Sequence, residues 1–210
     1  MKKIFFILTI IVIHVNCHCQ EFKGGVILGL STSQVSGDDL AGFNKAGLVF
    51  GGFTNRILSS RNSLQLEIVY IQKGSRNPDI VNEESENYNK PYINLSYIEI
   101  PILLKLYYNE TLEYELGIQW AQLINGYYID NIGEMNSTID PFIKNDLSIA
   151  LGLNYFINKN ISLNSRLTNS ILPIGNEDYD NSTTYNSIKK GKYNTTINFS
   201  IYYHIWKNTK

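Results

Sequence analysis

The sequence predicts an all-β chain folded as an eight-stranded antiparallel up-and-down transmembrane β-barrel. Three features point there. Apolar and polar residues alternate along eight separate segments, the period-two pattern of strands with one apolar face. The connections between those segments are alternately short and long, as in a barrel with one plain rim and one elaborated rim. Beyond residue 19 no run is long and apolar enough for a membrane helix, and none repeats with a helical period.

Residues 22–31 set Val26, Leu28 and Leu30 against Gly25, Ile27 and Gly29, and residues 44–56 set Ala46, Leu48 and Phe50 against Gly47, Val49 and Gly51. Glycines on one face allow the tight curvature a small barrel requires. Residues 63–76 carry Leu64, Leu66, Ile68 and Tyr70 opposite Gln65, Glu67, Val69 and Lys73. Residues 92–108 alternate most strictly: Ile98, Ile100, Ile102, Leu104, Leu106 and Tyr108 on one parity, with Tyr97, Glu99, Pro101, Leu103, Lys105 and Tyr107 on the other. Residues 111–124 place Leu112, Tyr114, Leu116, Ile118 and Trp120 against Glu113, Glu115, Gly117 and Gln119. The last three, at 145–157, 161–172 and 193–206, oppose Leu147, Ile149, Leu151, Leu163, Leu167, Phe199 and Ile201 to Asp146, Ser148, Asn154, Arg166, Thr168, Asn198 and His204.

Connections 57–62, 109–110 and 158–160 are short, whereas 32–43, 77–91, 125–144 and 173–192 are long and polar. Bacterial outer-membrane barrels have short periplasmic turns and long external loops. That rule puts both termini on the periplasmic side. Ahead of the barrel, Lys2 and Lys3 precede an apolar run from Ile4 to Val15, and Cys17-His18-Cys19 follows it. Residues 1–19 therefore read as a signal peptide cleaved near Cys19-Gln20, leaving 20–210 as one outer-membrane barrel domain without cysteine.

A formal net charge of -1 offers no basic surface for nucleic acid. Alternation alone does not tell which face is inside, so a soluble lipocalin-like barrel enclosing a ligand is the structural rival. The membrane alternative is favoured by strand length and by aromatic residues toward strand ends, Tyr92, Tyr107, Tyr108, Trp120, Tyr155, Tyr193 and Trp206. Glu67, Lys73, Glu99, Lys105, Glu115, Asp146 and Arg166 would then face the lumen as a structural charge network. Buried charges have to pair. The turn at 109–110 puts Lys105 across from Glu115. Glu99 lies six residues from Lys105, about 20 Å along a strand, so its partner comes from elsewhere, with Arg166 and Lys73 as candidates. Pro101, which removes a ladder donor, predicts a bulge or bend.

Several stretches carry a family resemblance: Ser33 to Asp38, Phe43 to Gly47, Leu66-Glu67 through Tyr70, Gln72, Lys73 and Gly74, Tyr97-Ile98-Glu99-Ile100-Pro101, and Asp146 with Gly152. Through them the chain resembles the PorT-like outer-membrane β-barrel proteins of Bacteroidota. The resemblance implies an eight-stranded outer-membrane barrel. The named member is associated with protein secretion across that membrane, but the shared motifs are architectural and assign no residue a role.

No catalytic constellation is present. His204 is the only histidine beyond residue 19, and it has no evident acid or metal partner in sequence. Asp38 with Asp39, and Glu177 with Asp178 and Asp180, lack the spacing of a calcium loop. The expectation is a structural, adhesion or assembly/secretion-associated protein with no catalytic activity, no metal and no cofactor. Its expected partners are outer-membrane lipid and other envelope proteins, not nucleic acid. Small-solute transport or binding through the lumen is the alternative.

Overall fold

The computed structural model describes residues 22–36, 42–76, 92–129, 135–136, 142–175 and 192–205. The expected signal peptide, Asp38, Asp39, Glu177, Asp178, Asp180 and Trp206 lie outside them. The strands are β1 (Phe22–Ser36), β2 (Lys45–Ile57), β3 (Asn62–Arg76), β4 (Tyr92–Tyr107), β5 (Leu112–Ile129), β6 (Met135–Asn136), β7 (Asn145–Phe156), β8 (Ile161–Ser170) and β9 (Tyr193–Ile205). They pair antiparallel in the order β4-β3-β2-β1-β9-β8-β7-β5, and the β4–β5 ladder closes the eight into a barrel. The two-residue β6 is an addition on the end of β5.

Asparagine shapes two of the short turns. Asn109 Oδ1 accepts from the backbone N–H of Thr111 and Leu112 at 2.9 and 2.8 Å, and Asn158 Oδ1 accepts from Asn160 and Ile161 at 2.8 and 2.9 Å. A side chain that mimics a backbone turn fixes the hairpin register.

The structure decides which face is inside. The aliphatic parity points outward, with Leu28 66% and Ile68 59% exposed, and the charged parity is buried around the axis. A soluble barrel built this way would leave a continuous aliphatic band in water. The lipocalin-like alternative is thereby corrected, because the charged parity and not the aliphatic one faces the axis.

β1 and β5 each run five residues past their sequence-predicted ends, to Ser36 and Ile129. In β5 the reason is a bulge. Tyr97 pairs with Leu123 but Ser96 pairs with Asn125, so Ile124 is the extra residue. Ile124 and Asn125 are consecutively exposed, and beyond them the inward parity is reversed. Alternation read by eye therefore stops at the point where the strand continues on the other phase.

Pro101 marks a gap and not a bulge. The β3–β4 ladder pairs Leu66 with Ile102 and Val69 with Glu99 and omits the two pairs between, without any change of register. Loss of one N–H donor interrupts the ladder locally, while Pro101 still pairs with Gln119 across β5. The register shift lies instead at Ser96/Tyr97.

Gly117 shows what the narrow circumference demands. A Cβ there would lie 2.1 Å from the Ile102 carbonyl oxygen and 2.9 Å from Leu103 Cα. Gly117→Val should therefore destabilise the barrel by roughly 2–3 kcal/mol or prevent closure. Urea unfolding of refolded protein reads this, and an unchanged midpoint would refute the steric account.

Candidate functional site

The interior is a stack of side-chain layers running from the short-turn rim toward the long connections. Near that rim His204 is buried between the rings of Phe53 and Phe156, with centroids 5.2 and 5.1 Å away, and its Nε2 lies 2.9 Å from Ser162 Oγ. Those contacts hold the ring in place. Beside it Asn154 Nδ2 donates to Glu113 Oε2 at 3.1 Å, and the Tyr107 hydroxyl donates to Ser63 Oγ at 3.1 Å.

The next layer is ionic. Arg166 donates through Nη1 and Nη2 to the two oxygens of Glu67 at 2.7 and 2.9 Å, and through Nε to Glu115 Oε1 at 2.6 Å. Only a planar guanidinium can grip one carboxylate with a fork and a second with its remaining edge. Lys105 takes the other oxygen of Glu115 at 2.6 Å. Tyr202 locks the group, donating to Glu67 Oε1 at 3.0 Å and accepting from Arg166 Nη2 at 2.9 Å. Glu67, Glu115 and Lys105 are each 2% exposed or less.

Toward the other rim, Lys73 forms an ion pair with Glu99 at 2.5 Å. Glu99 thus takes its cation from β3, and Arg166 is committed to Glu67 and Glu115. Among the described residues no cation pairs with Asp146: Ser148 Oγ, Ser170 Oγ and Asn194 Nδ2 donate to it at 3.2, 3.0 and 3.2 Å. All seven residues expected in the lumen are buried there, in two clusters and not as one network.

Above Asp146 the lumen turns apolar. Val35, Ile71, Ile93, Leu95, Leu123, Phe142 and Ile174 form one buried cluster. Phe142 and Ile174 reach it from segments flanking β7 and β8, which bridge to each other through Phe142 and Gly175 and through Ile143 N–H to Ile174 O at 2.8 Å. On the opposite side the β2–β3 ladder ends at Val49↔Ile71 while β3 continues to Arg76. There the Ser33 hydroxyl, reaching across β2, accepts from Gly74 N–H at 2.9 Å. Gly74 has φ +141°, and a Cβ there would lie 2.0 Å from the Ile93 carbonyl oxygen of β4.

Sequence reasoning did not single out Tyr202 or Asn194 as network members. Parity could have found both, because each falls in phase with Asn198 and His204. Among the described residues no group of three or more His, Cys, Asp and Glu could hold a metal ion.

No curated protein matches the chain. Its fold is similar to that of Ail, the attachment invasion locus protein of Yersinia pestis, with a TM-score of 0.51 at 13% identity, covering 88% of this chain and 99% of that one. It is also similar to Neisserial surface protein A, with a TM-score of 0.51 at 10% identity, covering 87% of this chain and 96% of that one. At such identities the likeness concerns the fold alone. The sequence of residues 20–206 matches the family described as outer membrane protein beta-barrel domain. That match spans nearly the whole chain, and with a closed eight-stranded wall, polar inside and aliphatic outside, the chain belongs to this family of bacterial outer-membrane barrels.

Proposed function

We propose that this protein is a non-catalytic surface component of the outer membrane, with an adhesion, structural or assembly/secretion-associated role carried by its long connections and the partners they meet. The observation that supports this most is the filled lumen. An ionic layer centred on Arg166 and an apolar layer around Ile71, Ile93 and Leu95 occupy the axis in series. With the axis occupied, the surface left to meet a partner is the rim of the long connections, which lies outside the cell by the short-turn rule. The names of the two similar structures, an attachment and invasion protein and a surface protein, agree with that reading. The PorT-like resemblance adds the secretion-associated variant, and a signal peptide ending near Cys19-Gln20 supplies the export route.

Replacing residues 77–91 by a short turn tests the assignment. The barrel should still shift its gel mobility on heating, while host-surface binding and crosslinked envelope partners recovered from intact cells should be lost. Unchanged partners and adhesion would overturn the reading. The second reading, small-solute passage, draws on polar side chains in the lumen, Gln119, Thr196 and Asn198, which carry atoms without a hydrogen-bond partner among the described residues. In planar bilayers the expected result is no discrete conductance step, and regular steps from the unaltered chain would favour passage.

A further inference from the structure

Among the described residues the lumen is filled in its middle, and a pocket lies at the short-turn end. A cavity of about 600 Å³ opens there, its wall including Lys23, Arg61, Tyr107, Glu110, Glu113 and Phe156. It is a largely open cup between the turns, and none of Arg166, Glu67, Glu115 and Lys105 of the ionic layer lines it. We propose that this cup binds a small zwitterion, an amino acid or short peptide, with the ligand's ammonium group on Glu113.

The inner end of the cup offers acceptors. Glu113 is 5% exposed, and its Oε2 is held by Asn154 Nδ2 at 3.1 Å. The Tyr107 hydroxyl gives its proton to Ser63 Oγ at 3.1 Å and so presents lone pairs. A carboxylate oriented by an amide, with a phenol oxygen beside it, calls for a compact donor with several hydrogens. An ammonium group has three and no acceptor. The rings of Tyr107 and Phe156 in the wall add faces that attract a cation.

Among the described residues Glu113 forms no ion pair, although Lys105 acts on it electrostatically. The two cations of the adjoining layer are already placed, Arg166 between Glu67 and Glu115 and Lys105 on Glu115, at 2.6–2.7 Å. A ligand cation would balance the third carboxylate, and because Glu113 itself is buried that pairing is stronger than one between two fully solvated charges. The outer part of the cup carries the opposite preference. Arg61, exposed on the β2–β3 turn, and the half-buried Lys23 line it, offset in part by the exposed Glu110. Two cations against two carboxylates suit a ligand with one charge of each sign and disfavour polyanions and polycations. A volume of about 600 Å³ falls within the range of ordinary small-ligand sites.

This site is independent of the surface role proposed above. It would act from the side of the short turns, where outer-membrane barrels face the periplasm.

The test uses the full barrel refolded in detergent, titrated by calorimetry with diglycine, N-acetyldiglycine and glycylglycinamide. Diglycine should bind saturably, at roughly millimolar affinity or tighter for so few atoms. Acetylation of its amine should weaken binding by at least about tenfold, and Glu113→Gln should do the same to diglycine. Lys23→Gln combined with Arg61→Gln should weaken diglycine while sparing glycylglycinamide. Absence of saturable diglycine binding would overturn the proposal, as would equal binding of the acetylated probe. Equal binding by a Glu113→Gln barrel that retains its heat-dependent mobility would overturn it too. Should that variant not fold, comparison of the probes on the unaltered chain still decides the matter.

Discussion

Arg166→Met is expected to lower barrel stability by about 3–5 kcal/mol, the largest loss from any single lumen substitution, because it strands Glu67 and leaves Glu115 with Lys105 alone. The loss comes from the carboxylates left behind more than from the guanidinium removed. Two controls separate these contributions. Arg166→Lys keeps the charge but has a single donor centre, which cannot fork onto Glu67 and reach Glu115 as well, so it should recover only a minor part. Adding Glu67→Gln to Arg166→Met neutralises one stranded group and should recover more than the lysine does. Urea unfolding of the refolded protein in lipid vesicles measures all three. A loss below about 1 kcal/mol for Arg166→Met would mean that the layer is not what holds these strands together.

Ile118→Arg is expected to cost about 2–4 kcal/mol in a bilayer, the penalty for a cation near the middle of a barrel's lipid face. Ile118 lies in the wall between Ile102 of β4 and Ile149 of β7, with 55% of its surface exposed. In water the same replacement at an exposed position would be close to neutral. The comparison therefore tests the solvent of the outer face. Glu110→Arg, exposed on the β4–β5 turn, should change stability by less than about 0.5 kcal/mol in the same vesicles. Vesicle-refolded Ile118→Arg as stable as the parent chain would sink the membrane assignment for this face.

Lys105 and Glu115 illustrate what was readable beforehand. They are joined by one short hairpin, so turn length and parity alone set them directly opposite each other. Arg166 and Glu67 are 99 residues apart, on β8 and β3, and face each other across the lumen only because the barrel closes between β4 and β5. No local pattern encodes that distance. The choice of Lys73 over Arg166 for Glu99 has the same origin. The β5 bulge at Ile124 hid five further residues of strand, since one inserted residue reverses the phase on which alternation depends.

The sequence by itself determined the strand number, the hairpin order, the two rims and the membership of each face. These follow from a two-residue period and from turn chemistry, both local. Only the tertiary structure decided which face turns inward, how the seven charges divide into an Arg166 cluster and a Lys73–Glu99 pair with Asp146 nearby, and where the lumen is closed. Those outcomes depend on curvature and closure, which bring distant strands across a shared axis and settle pairings that no single hairpin contains.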